Sequence, residues 1–464
     1  MIEIENIRLR KIVKNNIKFS NWAHTFECIP ELYFEPENDD DIIKIIELAK
    51  LYNKNVRAVG AGHSPSDVAC TEGIMINMEK LNKIIEVDIE KKTVVVEAGA
   101  RIDKLNECLW KHGLALSNLG SISDQSISGA ISTTTHGTGI NFGNQSTQVV
   151  ELTLLTASRG IINCSANENE DVFKASLCSM GALGIILKVK IQCESAFKLK
   201  SNQYSMKLND ILKNLDSIIN SAEHVRIWWF PHTENCIIWK ADRTTENLKI
   251  QQSSYFKDHI ISFHLYQFLL NITRCFPSTV PLLTTLMFKY KFSQPKQVIN
   301  DSYKQFNFDC LFPQYTNEWA IPLEKTKEAL EKLYEWVNGN GVFVHFPVEV
   351  RFVDKDDIWL SPAYKRKVCY IGIIMYRPYN KPVPYKKYWA AFEEIMRSCD
   401  GRPYWAKEHT MTAAELEKSY PKFKEFIELQ KSLDPNGMFL NLYLKRHLFG
   451  MDENFNKDYF KAKL

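Results

Sequence analysis

Three stretches of the 464-residue chain combine residue types that could do chemistry. In Gly60-Ala61-Gly62-His63-Ser64-Pro65-Ser66-Asp67, glycine lets the backbone approach a ligand closely and aim N–H groups at an anion, and His63 adds an imidazole. Ser121 to Gly139, dense in Ser, Thr and Gly, offers further N–H and hydroxyl donors. Two such loops in one domain suit a long phosphorylated cofactor. The third stretch, 343–353, alternates with a period of two. Val344, Phe346, Val348, Val350 and Phe352 fall on one side and His345, Glu349 and Arg351 on the other. A carboxylate and a guanidinium would then share a strand face, a pattern that an ordinary half-solvated strand also gives.

Several common chemistries are excluded. A Rossmann fingerprint needs a third glycine where Pro65 stands, and a nucleophile elbow needs glycine where Ser66 stands. Neither a phosphate-loop Gly-Lys-Ser/Thr nor a zinc His-Glu-x-x-His is present. With 58 Lys and Arg against 55 Asp and Glu, the net charge of +3 is too small for a phosphate-backbone stripe, so no nucleic-acid partner is expected. The 11 cysteines contain no C-x-x-C, so no metal site is expected and the thiols read as reduced and mostly buried.

The elements that must hold these loops follow from periodicity. A helix is expected after Pro36, with Asp39, Asp40 and Asp41 against the positive end of its dipole. The run 83–100 reads as a hairpin and 102–112 as a helix ended by Gly113. With buried strands at 149–157 and 181–191, residues 1–195 form one α+β unit. Residues 196–464 carry longer, aromatic strands (VRIWWF, CIIWKA, FVHFPVEVRFV, VCYIGIIMYR) that favour an antiparallel sheet, with helical stretches at 323–339 and 413–433. The charged N-terminus does not read as a secretory signal. Ile260–Thr273 and Cys275–Phe288 are uncharged but too short to span a membrane; they suit a buried helix pair or an apolar surface lying on a bilayer.

VGAGHSPSDVAC, VEAGA, KHGLALSNLGSISDQSISGAISTTTHGTG and SMGALGIILKVKIQC together resemble the flavin-binding domain of the vanillyl-alcohol-oxidase class. With WFPHTEN, VEVRF, GRPYWAKEHT and LDPNGMFLNLYL, the resemblance extends over most of the chain and is to the aldonolactone oxidases within that class. It implies an α+β, two-domain FAD-linked oxidase. Residues 1–195 would be a PCMH-type FAD-binding domain and 196–464 a substrate-binding cap, the last ~40 residues packing back on the first domain.

The resemblance also assigns roles. His63 matches the histidine joined covalently to FAD. Ala58, Val59, Gly60, Ala61, Gly62 and Ser64 match cofactor-binding positions, as do Gly120, Ser121, Ser126, Gly129, Ala130, Ile131, Ser132, Thr133 and Ile186. Gly120 stands where a bulkier residue is held to bar oxygen from the flavin. Glu349, Arg351 and Lys407 match the catalytic set, while Tyr404 replaces the family's usual histidine and His136 reads as structural. The implied reaction is oxidation of an aldono-1,4-lactone, L-gulono-1,4-lactone foremost, with dioxygen reduced to hydrogen peroxide. A sugar alcohol as substrate, or an acceptor other than oxygen, are the alternatives. Family precedent implies association with the endoplasmic-reticulum membrane through 260–288, with a cytoplasmic location as the alternative.

Overall fold

The computed structural model describes residues 2, 4–250, 256–308 and 312–451. Strands Leu32–Phe34, Ile74–Asn77 and Val56–Val59 pair in parallel, with Val13–Lys14 antiparallel at the edge. The crossover helix Asp39–Leu51 starts where the Asn38 side chain accepts the Asp41 N–H, and three aspartates fill its first turn. Its Ile42, Ile45, Ile46 and Ala49 are buried against the sheet, as the spacing requires. A second sheet is wholly antiparallel, in the order Gly160–Ser165, Val149–Thr156, Ile185–Gln192, Thr93–Glu97, Ile84–Asp88. The glycine-rich loop and helix Ile127–Ser132 lie between these two sheets.

The larger sheet has eight antiparallel strands, ordered Lys296–Asp301, Lys198–Lys207, Asn235–Thr244, His224–Trp229, Val348–Val353, Val368–Tyr376, Gln314–Pro322 and Arg402–Pro403. Its register aligns two rows on one face. Trp228, Glu349, Gly372 and Glu318 lie side by side, and so do Arg226, Arg351, Tyr370 and Ala320. Helix Lys386–Ser398 covers the opposite face, where Asn317 donates to Glu393 at 2.9 Å. The first face receives residues 136–139 of the N-terminal half: Gly139 N–H donates to Phe352 O at 2.7 Å, and the Thr138 hydroxyl bonds Val225 O.

Three expectations shift. The polar strand begins at Val348, because Pro347 cannot donate to a ladder. His345 therefore leaves the face of Glu349 and Arg351, and burial lowers its pKa to about 4. The helical run 413–433 divides into Ala413–Ser419 and Phe423–Leu433 around Pro421. Helices Tyr266–Thr273 and Val280–Phe292 bury Leu270 and Leu283 beside Phe312 and Tyr376, yet Phe268, Leu282 and Leu286 on them and Phe276 in the turn between are 52% to 63% exposed. Among the described residues, no helix is long and apolar enough to cross a membrane.

Six described cysteines are buried, and Cys310 lies outside the described residues. The C-terminal segment meets the first half of the chain. Val56 N–H donates to Met438 O at 2.8 Å, Asn441 Nδ2 donates to Val68 O and Cys70 O, and Arg446 pairs with Asp67 at 2.8 Å.

Candidate active site

A cleft opens between the two smaller sheets. It is lined by Ala58, Val59, Gly60, Ala61, Gly62, His63 and Ser64 from one side, and by Ser126, Gly129, Ala130, Ser132, Thr133 and Ile186 from the other. Gly60 must be glycine: a Cβ there would overlap the Ser126 hydroxyl and lie 2.8 Å from its Cβ. Gly62 adopts φ +67°, the left-handed turn that feeds His63 into the cleft. Arg57 also lines the cleft, buried, with its Nε unpartnered among the described residues. Burial lowers its pKa to about 10, which leaves it cationic at neutral pH and suited to a phosphate. Sequence reading passed over it; the only trace was an arginine inside the apolar run VRAV.

These features fit FAD. His63 Nδ1 is buried with no hydrogen-bond partner among the described residues, and the ring stacks on Trp22 with centroids 5.7 Å apart. Burial lowers the His63 pKa, opposed by Asp124 and reinforced by Arg101 and Lys407, so the imidazole is neutral. A neutral imidazole with an unused nitrogen is what a covalent link to a flavin ring requires.

Other expected contacts lie elsewhere. Ile131 is fully buried in the apolar core rather than on the cleft, because it faces inward from helix Ile127–Ser132. Ser121 lies next to Arg351, whose Nη1 is 3.4 Å from its hydroxyl. A Cβ on Gly120 would come within 2.7 Å of Thr135 Cγ2, so packing alone demands glycine there.

The substrate face is a chain of alternating charges. Arg226 Nε is 3.6 Å from Glu349 Oε1, Glu349 Oε2 is 3.5 Å from Arg351 Nε, Arg351 pairs with Glu318, and Glu318 Oε1 is 3.4 Å from His136 Nε2. Burial alone would raise the Glu318 pKa, but Arg351, His136 and Lys407 hold it well below the usual carboxylate range. Burial and the Arg351 charge outweigh Glu318 at His136 and keep that imidazole neutral. Its ring stacks on Tyr370 at 3.5 Å. Gly372 lies between Glu349 and Glu318 in the row, and the Glu318 side chain lies over it: a Cβ there would be 3.5 Å from Glu318 Oε1. Glu318, the partner of the predicted arginine, was not singled out from sequence, where one acid in QYTNEWAIP matches no motif.

Lys407 joins the two halves. Its backbone N–H bonds Tyr404 O at 2.8 Å, its ammonium lies 5.8 Å from the Tyr404 ring, and its charge acts on both His63 and Glu318. The neighbouring Ala406 O accepts from Ser66 Oγ at 3.1 Å, tying this loop to that of His63. Tyr404 is buried with its hydroxyl 3.0 Å from Thr135 Oγ1, and burial raises its pKa to about 12. It supplies a neutral hydroxyl where the family pattern has a titratable ring.

Residues 189–447 match the D-arabinono-1,4-lactone oxidase family, and residues 30–165 match an FAD binding domain. The chain belongs to the D-arabinono-1,4-lactone oxidase family. It is 46% identical to the L-gulonolactone oxidases of Scyliorhinus torazame and Bos taurus, over 93% of this chain and 98% of each relative. Identity to the putative D-arabinono-1,4-lactone oxidase of Neurospora crassa is 36%, over 92% of this chain and 85% of that one. In fold it is similar to cholesterol oxidase from B. sterolicum, with a TM-score of 0.82 at 16% identity over 97% of this chain and 99% of that one. Membership makes the chain an FAD-dependent oxidoreductase acting on an aldonolactone.

Proposed function

We propose that the chain oxidises L-gulono-1,4-lactone, or a closely related aldonolactone, at carbon 2 and passes the electrons to dioxygen, releasing hydrogen peroxide. The observation that carries this reading is the Ser66–Ala406 contact, which joins the His63 loop to that of Lys407, whose charge acts on His63 and on Glu318 beside Arg351 and Glu349. When bound, FAD supplies a two-electron acceptor for the hydride from carbon 2 and a route for those electrons to oxygen.

The chain's own residues do the rest. Glu349, the most exposed member of its cluster at 16%, accepts hydrogen bonds from substrate hydroxyls and orients the lactone. Lys407 lies at the edge of the same site, where its ammonium binds the reacting hydroxyl and stabilises negative charge as the proton leaves. Arg351 is a buried cation locked by Glu318 and by His136 O at 3.3 Å, so it presents a fixed positive charge without reorganising during reaction. His63 tethers the cofactor through its unpartnered nitrogen.

Anaerobic titration of the purified flavoprotein with L-gulono-1,4-lactone should bleach the flavin band, and admitting air should restore it with one peroxide per lactone. No bleaching by any aldonolactone would overturn the reading. In Lys407→Met and Arg351→Met, flavin reduction should slow by two or more orders of magnitude with the flavin retained; normal rates would remove their assigned roles.

Attachment to the surface of a membrane of the endoplasmic reticulum is part of the same proposal. Exposed Phe268, Phe276, Leu282 and Leu286, with Lys289 and Lys291 in the last turn, suit peripheral contact with an anionic bilayer. The enzyme should co-sediment with phosphatidylserine-containing vesicles, and Leu282→Asp with Leu286→Asp should abolish this; equal sedimentation of both proteins would refute the contact.

A further inference from the structure

We infer that Cys28 and Cys70 form a peroxide-reactive dithiol that closes to a disulfide during turnover. The backbone brings them together. Leu32, Tyr33 and Phe34 pair in parallel with Ile74, Met75 and Ile76, and Glu31 N–H continues the register to Glu72 O and Gly73 O. Cys28 and Cys70 lie just beyond the same end of this ladder, four residues before its first paired positions, where their side chains come into contact.

The side chains agree with the register. Cys70 is in hydrogen-bond contact with Cys28, whose sulfur also accepts the Thr71 N–H at 3.4 Å. Both thiols are partly exposed, unlike the six buried ones. These two hydrogen bonds favour the thiolate at Cys28, against burial and the charge of Glu72, and the same pairing holds the proton on Cys70. One nucleophilic thiolate beside one protonated thiol is the arrangement of a reacting and a resolving cysteine.

The oxidant is the peroxide of the proposed reaction, on which the turnover part of this inference rests. Cys28 sulfur attacks one peroxide oxygen; the O–O bond breaks, the other oxygen leaves and takes a proton to become water, and Cys28 becomes a sulfenic acid. Cys70 sulfur then attacks Cys28 sulfur. The S–S bond forms, the S–O bond breaks, and the hydroxyl leaves with the Cys70 proton as a second water. Two electrons pass from the thiols to the peroxide.

The link would fasten the hairpin of Phe19–Ser20 and Glu27–Cys28 to the segment that follows the cofactor loop. That hairpin carries Trp22, which stacks on His63 and donates to Gly62 O at 2.8 Å, and Asn21, which donates to Ser64 O at 3.0 Å.

The test uses flavin-loaded, fully reduced enzyme in two arms, one turning over L-gulono-1,4-lactone in air and one given hydrogen peroxide without lactone. Each is then alkylated and digested without reductant. A Cys28–Cys70 cross-linked peptide should appear in both arms, and catalase should suppress it in the first. In the second arm, loss of free Cys28 should outpace that of exposed Cys275 by about tenfold. In Cys70→Ser, Cys28 should be trapped as a dimedone adduct instead. Cross-linking by added peroxide but not by turnover would refute the turnover part alone and leave the dithiol standing. Cys28 and Cys70 both still alkylatable after peroxide has consumed Cys275, or Cys28 over-oxidised without a cross-link, would overturn the dithiol itself.

Discussion

Replacing Arg351 with methionine isolates what the buried charges contribute. Arg351 and Glu318 are 8% and 5% exposed at their side chains. The substitution leaves His136 and Lys407 as the groups that still lower the Glu318 pKa. Removing one partner of a buried pair costs about 3 kcal/mol or more, and methionine refills enough volume that packing adds less than about 1.5 kcal/mol. About 3 kcal/mol is a roughly 150-fold change in the folding equilibrium.

The pH dependence has a definite sign. In the native protein Glu318 is held below its unfolded value, so its contribution is present above about pH 4.3 and is lost as pH falls further. Without Arg351, burial, already the largest influence on this carboxyl, loses its main opponent and should push it above its unfolded value. Its contribution is then present only below about pH 4.3 and is lost as pH rises through the raised value. The gap between variant and native protein is therefore largest near neutrality and narrows on acidification. Urea unfolding followed by tryptophan fluorescence at pH 7 and pH 5 measures it, and Arg351→Met with Glu318→Met should recover most of the loss. A single variant within about 1 kcal/mol of the native protein at pH 7, a gap that widens in acid, or a double variant no better than the single would each refute the reasoning.

Three further substitutions probe the remaining parts. His63→Ala should give protein whose flavin is washed out by acid denaturation, whereas the native polypeptide keeps its yellow colour; colourless denatured native protein would remove the covalent tether. Gly60→Ala should lower flavin content several-fold through its clash with Ser126, and Ser126→Gly in the same chain should restore part of it; full occupancy in the single variant would contradict the close approach. Tyr404→Phe loses one hydrogen bond to Thr135 and should slow turnover by no more than about tenfold. Because the Tyr404 hydroxyl titrates only near pH 12, the pH–rate profile between 6 and 9 should keep its shape, and a displaced limb would show the tyrosine titrating within that range.

Local signals in the sequence reached the structure where one element carried its own evidence. Helix Asp39–Leu51 has an acidic first turn and one apolar face, and both are visible without knowing the fold. The alternation through Val348–Val353 placed Glu349 and Arg351 together for the same reason. What stayed hidden depends on pairing between distant strands. Glu318 reaches Arg351 only because Gly372 lies between its strand and that of Glu349, and Cys28 reaches Cys70 only because strands far apart in sequence pair in parallel beside them. Arg57 became a site residue through burial, and single residues do not announce burial. Lys407 and Tyr404 were found through family resemblance, since their loop has no periodicity of its own.

The bonds from Met438, Asn441 and Arg446 to Val56, Val68, Cys70 and Asp67 impose an order on biogenesis. A ribosome that has delivered the glycine-rich loop has yet to make the residues that brace it, and hundreds of codons separate the two. These braces can therefore form only when synthesis is nearly finished. A message truncated shortly before codon 438 would yield a polypeptide with every cleft-lining residue and a loop left unbraced.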